Sequence, residues 1–220
     1  DGRYANNGWL QEAPEPMTKL VWDNAALISP ATAKSLGVET GSILEIARGG
    51  LTVKAPVMVQ PGQADNSIAI SLGYGRTKIG RVGRGVGFNA YALRSTDALG
   101  FATSLRIRKV AGTYTLVQTQ EHHSMEGRPL VREATMAEYR HEPEFAEKAS
   151  EVPELFSLWK EHKYDQGNQW GMVIDLNACI GCGACLIACQ AENNIPIVGK
   201  DEVSRGREMH WIRLDRYFTG

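Results

Sequence analysis

Short apolar runs separated by Gly, Pro, Asn and Asp fill the first 120 residues. Runs of this length between turn-forming residues are the pattern of short β-strands. They predict strands at Ser42–Arg48, Leu51–Gln60, Ser67–Leu72, Phe101–Val110 and Thr113–Gln120. Gly49-Gly50 joins the first two as a hairpin turn, Pro61-Gly62 closes the second, and Ala111-Gly112 separates the last pair. One helix is predicted at Pro30–Leu36, with Ser29 as N-cap, Pro30 as first helical residue and Gly37 as its stop. Many short strands with so little helix suggest a closed barrel.

The pattern then changes twice. Residues 121–169 are acidic and interrupted by Pro143 and Pro153, with short helices predicted at Glu133–Arg140 and Pro153–His162. From Trp170 onward, Met172–Leu176 reads as a short strand, a cysteine-rich segment follows, and Trp211–Phe218 alternates partially, as a strand would. The sequence therefore divides into an N-terminal extension (1–19), a mainly β domain with one helix (20–120), an acidic connector with short helices (121–169) and a cysteine-bearing region (170–220).

Composition narrows the classes. The 220 residues are 43% hydrophobic and 22% charged, which is globular rather than disordered. The net charge of -1 argues against a nucleic-acid-binding protein. It conceals an asymmetry: residues 1–120 carry a net +5 and residues 121–220 a net -6. No apolar run approaches the roughly 18 residues of a membrane span, so no direct span is expected. The sequence starts at Asp1 without a signal-like segment and stops just after a strand-like run. It reads as an excised piece of something longer.

The four cysteines form the run Cys179-Ile-Gly-Cys182-Gly-Ala-Cys185-Leu-Ile-Ala-Cys189. The spacing C-x2-C-x2-C-x3-C is that of bacterial ferredoxins. A cubane cluster needs soft thiolates converging from several directions, and Gly181 and Gly183 permit the tight backbone curl this demands. Disulfides between such close neighbours would have poor geometry and little effect on stability. Structural zinc usually takes two separated CxxC pairs, so a zinc-binding module is the weaker alternative. In two-cluster ferredoxins the last cysteine of the run ligates the other cluster. Cys179, Cys182 and Cys185 are thus expected to hold one 4Fe–4S cluster and Cys189 to reach a second. Trp170 and Trp211 flank this segment and are expected to shield it from water.

Other residues carry weaker signals. Leu72–Tyr91 is rich in Gly and carries Arg76, Lys78, Arg81 and Arg84 with no acidic residue. It reads either as an anion or nucleotide-tail site or as a structural or docking loop, since Gly lets backbone N–H groups approach phosphates. His122-His123 points to opposite faces of an extended backbone and does not form a metal pair. No Ser/His/Asp signature or HExxH is present, and no catalytic residue is expected.

Met172–Leu176, the cysteine run and Ala191-Glu192-Asn193-Asn194-Ile195-Pro196 together resemble the four-cluster ferredoxin subunits of the DMSO reductase family. Val198-Gly199-Lys200, Gly206–Met209 and Trp211-Ile212-Arg213 continue that resemblance. Further upstream, Asn6–Glu12, Leu27–Pro30, Gly37-Val38 and Gly73–Arg76 resemble the last domain of molybdopterin oxidoreductases, a double-psi β-barrel. A barrel ahead of a ferredoxin half is similar to the iron–sulfur subunits of alternative complex III, a membrane-bound, quinol-oxidising bacterial assembly.

The resemblance implies a mainly β fold with some α: a double-psi β-barrel, a partly helical linker and the truncated start of a ferredoxin-type domain. It implies 4Fe–4S clusters in the full-length protein, not necessarily retained in this piece, and a barrel that has lost molybdopterin. It implies electron relay with a quinol-oxidising membrane subunit and cytochrome c-type subunits, on the periplasmic side of the bacterial inner membrane. The competing reading is a molybdopterin-dinucleotide-binding domain of a molybdenum oxidoreductase.

Overall fold

The computed structural model describes residues 2–150, 153–154 and 156–219. A short helix, α1 (Gly8–Glu12), opens the fold, and the Asn7 side chain caps it by accepting the Leu10 N–H at 3.3 Å. Strand β1 (Ala26–Ile28) then leads into α2 (Pro30–Leu36). Helix α2 has the predicted limits because its end signals act locally. Ser29 Oγ accepts the Thr32 N–H at 3.0 Å, Pro30 fills the first turn, and Gly37 stops the helix at φ +62°. Ser29 Oγ also donates to Asp65 Oδ1 at 2.5 Å, which ties the cap to the loop after the second hairpin strand.

Strands β2 (Ser42–Arg48) and β3 (Leu51–Val59) form the predicted antiparallel hairpin around Gly49-Gly50. With β4 (Ala69–Ile70) and β5 (Arg106–Thr113) they make a five-stranded mixed sheet in the order β4-β1-β3-β2-β5. The β1–β3 pair is parallel and the other pairs are antiparallel. Ile28, Leu44, Ile46 and Val57 sit fully buried at the centre of its core.

Three predicted strands differ in extent. β4 keeps only two of the residues in Ser67–Leu72. The strand expected from Phe101 begins at Arg106, because Phe101 is exposed and Ser104 adopts φ +59°, outside the extended region. Its other end runs through Ala111-Gly112 to Thr113, helped by a register shift at Ser42/Ile43. Thr113–Gln120 is accordingly not a second strand; one isolated bridge, Leu20 to Gln118, replaces it.

The fold separates into two compact units. One comprises the described residues up to His122 together with Gly181–Arg216, and the other those of His123–Ile180 with 217–219. In the first unit, α5 (Ala184–Glu192) and α6 (Lys200–Val203) join the sheet-bearing part. Trp211–Phe218 is not a strand. Its first-unit residues are held by side chains: Arg216 N–H donates to Gln120 Oε1 at 2.9 Å, and Gln120 Nε2 donates to the Arg216 carbonyl at 2.7 Å.

In the second unit, α3 (Met136–His141) starts with a reciprocal capping box between Thr135 and Glu138. It is followed by α4 (Phe145–Lys148). Arg132 Nη2 donates to Ser150 Oγ at 2.6 Å. None of the described residues of Pro153–His162 is helical, and residue 155 lies outside the described set. Met172–Leu176 is exposed and not a strand; no neighbouring strand supplies its ladder. None of the described residues of this unit is buried. Among the described residues, no helix is long and apolar enough to cross a membrane.

Candidate metal centre

Asp175 shapes the approach to the first cysteine. Its Oδ1 accepts the Asn177 N–H at 2.9 Å, and its carbonyl accepts the Ala178 and Cys179 N–H groups at 3.1 and 2.9 Å. This Asx turn replaces the predicted strand end. Gly181 and Gly183 take φ +69° and +74°, values that a side-chain-bearing residue rarely adopts. Gly183 then starts α5, which carries Cys185 and Cys189 four residues apart on one face. Leu186 and Gln190 are the buried residues of the helix.

None of the four cysteines is in a disulfide; Cys179, Cys182 and Cys185 are exposed and Cys189 is half-buried. An iron–sulfur cluster takes thiolates, so the donor set fits in kind. Among the described residues, no three Cys, His, Asp or Glu side chains converge on a common metal position. Trp170 and Trp211 are 94% and 62% exposed.

Two buried carboxylates hold the residues beyond α5, and no sequence motif marks either of them. Glu12, at the end of α1, is 2% exposed. Its Oε2 accepts the Trp22 indole N–H at 3.1 Å, the Val198 N–H at 3.1 Å and the Gly199 N–H at 2.7 Å. The Trp9 indole N–H, on the same helix, donates to the Ile195 carbonyl at 2.9 Å. Asp23 is likewise buried: its Oδ1 accepts the Gly87 N–H and the Tyr114 hydroxyl at 2.6 and 2.7 Å. Its Oδ2 pairs with Lys200 Nζ at 2.7 Å, and that ammonium lies 4.1 Å from the Tyr114 ring centroid. Burial, followed by the bond to Asp23, raises the Tyr114 pKa. Glu12 and the peptide it binds are 186 and 187 residues apart, so no local pattern could have revealed them.

Two polar contacts lie beside Cys189. Gln190 Nε2 and His210 Nδ1 are 2.7 Å apart, while Gln190 Oε1 and His210 Nε2 are buried without a hydrogen-bond partner. Burial, and then the Arg213 charge, lowers the His210 pKa. At the end of α5, Asn193 Nδ2 donates to the Cys189 carbonyl at 2.8 Å and lies 3.6 Å from the Cys189 sulfur.

The basic loop is divided. Arg76 and Lys78 line an open polar cleft of about 750 Å³ with Gly73, Tyr74, Gly75 and Asn89; Arg81 and Arg84 do not line it. Arg76 Nη1 donates to Asn6 Oδ1 at 3.2 Å. The buried Asn24 staples the loop by donating to the Ser71 and Phe88 carbonyls and accepting the Phe88 N–H. Gly75 is required there, since a Cβ would sit 2.4 Å from the backbone of Phe88 and Asn89. Close packing thus explains Gly75, whereas Gly80 and Gly85 have open space where a Cβ would stand.

Residues 170–191 match the 4Fe-4S binding domain family. This stretch is a 4Fe–4S binding segment. The 4Fe–4S segment and its surroundings are 48% identical over 56 residues to the menaquinone reductase iron–sulfur cluster-binding subunit of Nitratidesulfovibrio vulgaris. That match covers 26% of the present sequence and 20% of that protein. The B component of polysulfide reductase from Wolinella succinogenes is 61% identical over 28 residues, 13% of the present sequence and 15% of that protein. The arsenate respiratory reductase iron–sulfur subunit of Chrysiogenes arsenatis is 58% identical over 26 residues, covering 12% and 87% respectively. The matched stretch thus spans a fifth or less of the length of the first two relatives.

Proposed function

We propose that these 220 residues are part of an electron-transfer iron–sulfur subunit of a membrane-bound, quinol-oxidising respiratory complex. The observation that carries this is the run Cys179, Cys182, Cys185, Cys189 inside a stretch that matches the 4Fe-4S binding family. A bound cluster supplies a one-electron carrier that needs little nuclear rearrangement. The protein's part is to supply thiolates: Cys179, Cys182 and Cys185 to one cluster and Cys189 to a second. The clasp of Glu12, Asp23 and Lys200 secures the residues that follow α5. The names of the relatives, all components of reductases, support the electron-transfer part of this reading.

The finer assignment rests on the sequence resemblance to alternative complex III. On that reading residues 20–120 are a double-psi β-barrel without molybdopterin, and the partners are a quinol-oxidising membrane subunit and cytochrome c-type subunits. The location is the periplasmic side of the inner membrane. A second reading, a molybdopterin-dinucleotide site, draws on the cleft lined by Arg76 and Lys78. Pterin released on denaturation would favour it.

The test is iron and acid-labile sulfide per protein molecule after anaerobic reconstitution of the whole protein, with an optical spectrum before and after dithionite. Cluster-like iron and sulfide with a bleachable visible band is the expected result. Its loss on replacing Cys182 and Cys185 by Ser would tie the band to this segment. A whole protein that binds zinc and no sulfide would overturn the proposal.

A further inference from the structure

We propose that Asn193 tunes the Cys189 thiolate through an amide N–H···S hydrogen bond and so raises the reduction potential of the cluster that thiolate ligates. This deepens the electron-transfer reading and rests on it. Asn193 follows the last residue of α5, and its position is fixed twice. Its backbone N–H donates to the Cys189 carbonyl at 3.1 Å, and its side-chain Nδ2 donates to the same carbonyl at 2.8 Å. A carbonyl only accepts, so the amide nitrogen rather than the amide oxygen must face it. The same nitrogen lies 3.6 Å from Cys189 Sγ, within reach of a hydrogen bond to sulfur. Its two hydrogens are enough for both acceptors.

The direction of the effect follows from charge. Reduction adds one negative charge, shared between cluster and ligand sulfurs. An N–H donor stabilises the sulfur more when it carries more charge, and hydrogen bonds to the sulfurs are among the groups that set such potentials. The bond therefore favours the reduced state. Asn193 touches a ligand rather than a substrate, so its role is that of a positioning and tuning residue.

The test uses the whole protein with its clusters incorporated, read by EPR-monitored redox titration alongside iron and sulfide content. Cys189→Ser first identifies which reduced-state signal depends on that thiolate. Asn193→Ser keeps a short hydroxyl able to bond back to the Cys189 carbonyl, as Ser does to the residue four before it, but it does not reach the sulfur. The expected result is unchanged iron and sulfide with a lower midpoint potential for that signal alone. Asn193→Asp, which turns the donor into a negative acceptor, should lower it further, and Asn193→Gln should restore part of the shift. Unchanged potentials in Asn193→Ser and Asn193→Asp with clusters intact would overturn the proposal. So would equal loss of the cluster in the Ser and Gln variants, which would show helix capping only. A wild-type protein with clusters but no signal that responds to Cys189→Ser would remove Cys189 as a ligand and the proposal with it. A protein without any cluster would instead remove the electron-transfer reading on which both stand.

Discussion

The sheet of the first unit and the segment that follows the cysteine helix are secured by different forces. The sheet closes over aliphatic side chains: Ile28, Leu44, Ile46 and Val57 are fully buried, and the hairpin ladder surrounds them. Residues 195–200 add buried polar groups to an apolar anchorage, in which Ile195 is buried and Ile197 and Val198 pack against Val21, Trp22, Val117 and Val203. Glu12 accepts two of their backbone N–H groups, Trp9 donates to a third peptide, and Asp23 pairs with Lys200. Apolar burial is non-directional and tolerates repacking, whereas a buried carboxylate is favourable only while its donors stay in place. The sheet should therefore lose stability in proportion to the volume removed. The clasp should fail abruptly when one partner is deleted.

Lys200→Met is the sharpest way to break this comparison. It leaves the Asp23 charge buried without its ammonium, which should cost about 3–5 kcal/mol. Adding Asp23→Asn should return part of that loss, and chemical denaturation of the set gives the coupling. No recovery in the double variant would mean that the pair is not a clasp. Leu44→Ala, in the sheet, should cost about 2–5 kcal/mol through the cavity it leaves. Here no second substitution at Asp23 or Lys200 should compensate, and additivity in the triple variant is the measurable outcome.

Glu12→Ala strands three buried N–H groups rather than a charge, at about 1–3 kcal/mol for each one left unsatisfied. Its signature is local: hydrogen exchange at Val198 and Gly199 should accelerate while β2 and β3 stay protected. Equal acceleration throughout would mean that clasp and sheet are one cooperative unit. The smallest expected effect is a pH slope. His210 has a folded pKa below its usual 6.5, so below about pH 6.5 the unfolded state takes up more protons than the folded one. Stability should be full above that value and decline as pH falls through the folded pKa. His210→Gln should flatten the slope measured by denaturation between pH 7 and 5.

Where the signals are local, the sequence was enough. Helix α2 has its predicted limits because Ser29, Pro30 and Gly37 act within a few residues of one another. The β2–β3 hairpin follows from Gly49-Gly50 between two alternating runs. The run Cys179, Cys182, Cys185 and Cys189 is legible for the same reason, and it lies in the stretch that matches the 4Fe-4S binding family. Strand limits were less legible where partners decide them. Thr113–Gln120 has a strand-like composition, yet past Thr113, which ends β5, it contributes one isolated bridge, and Met172–Leu176 finds no edge to pair with. Only the tertiary structure could show that Glu12 receives the backbone of Val198 and Gly199, or that Asp23 meets Lys200. Neither contact leaves a periodicity or a motif, because a carboxylate recognises donors by position in space. Folding, and not sequence spacing, brings those groups within hydrogen-bond distance.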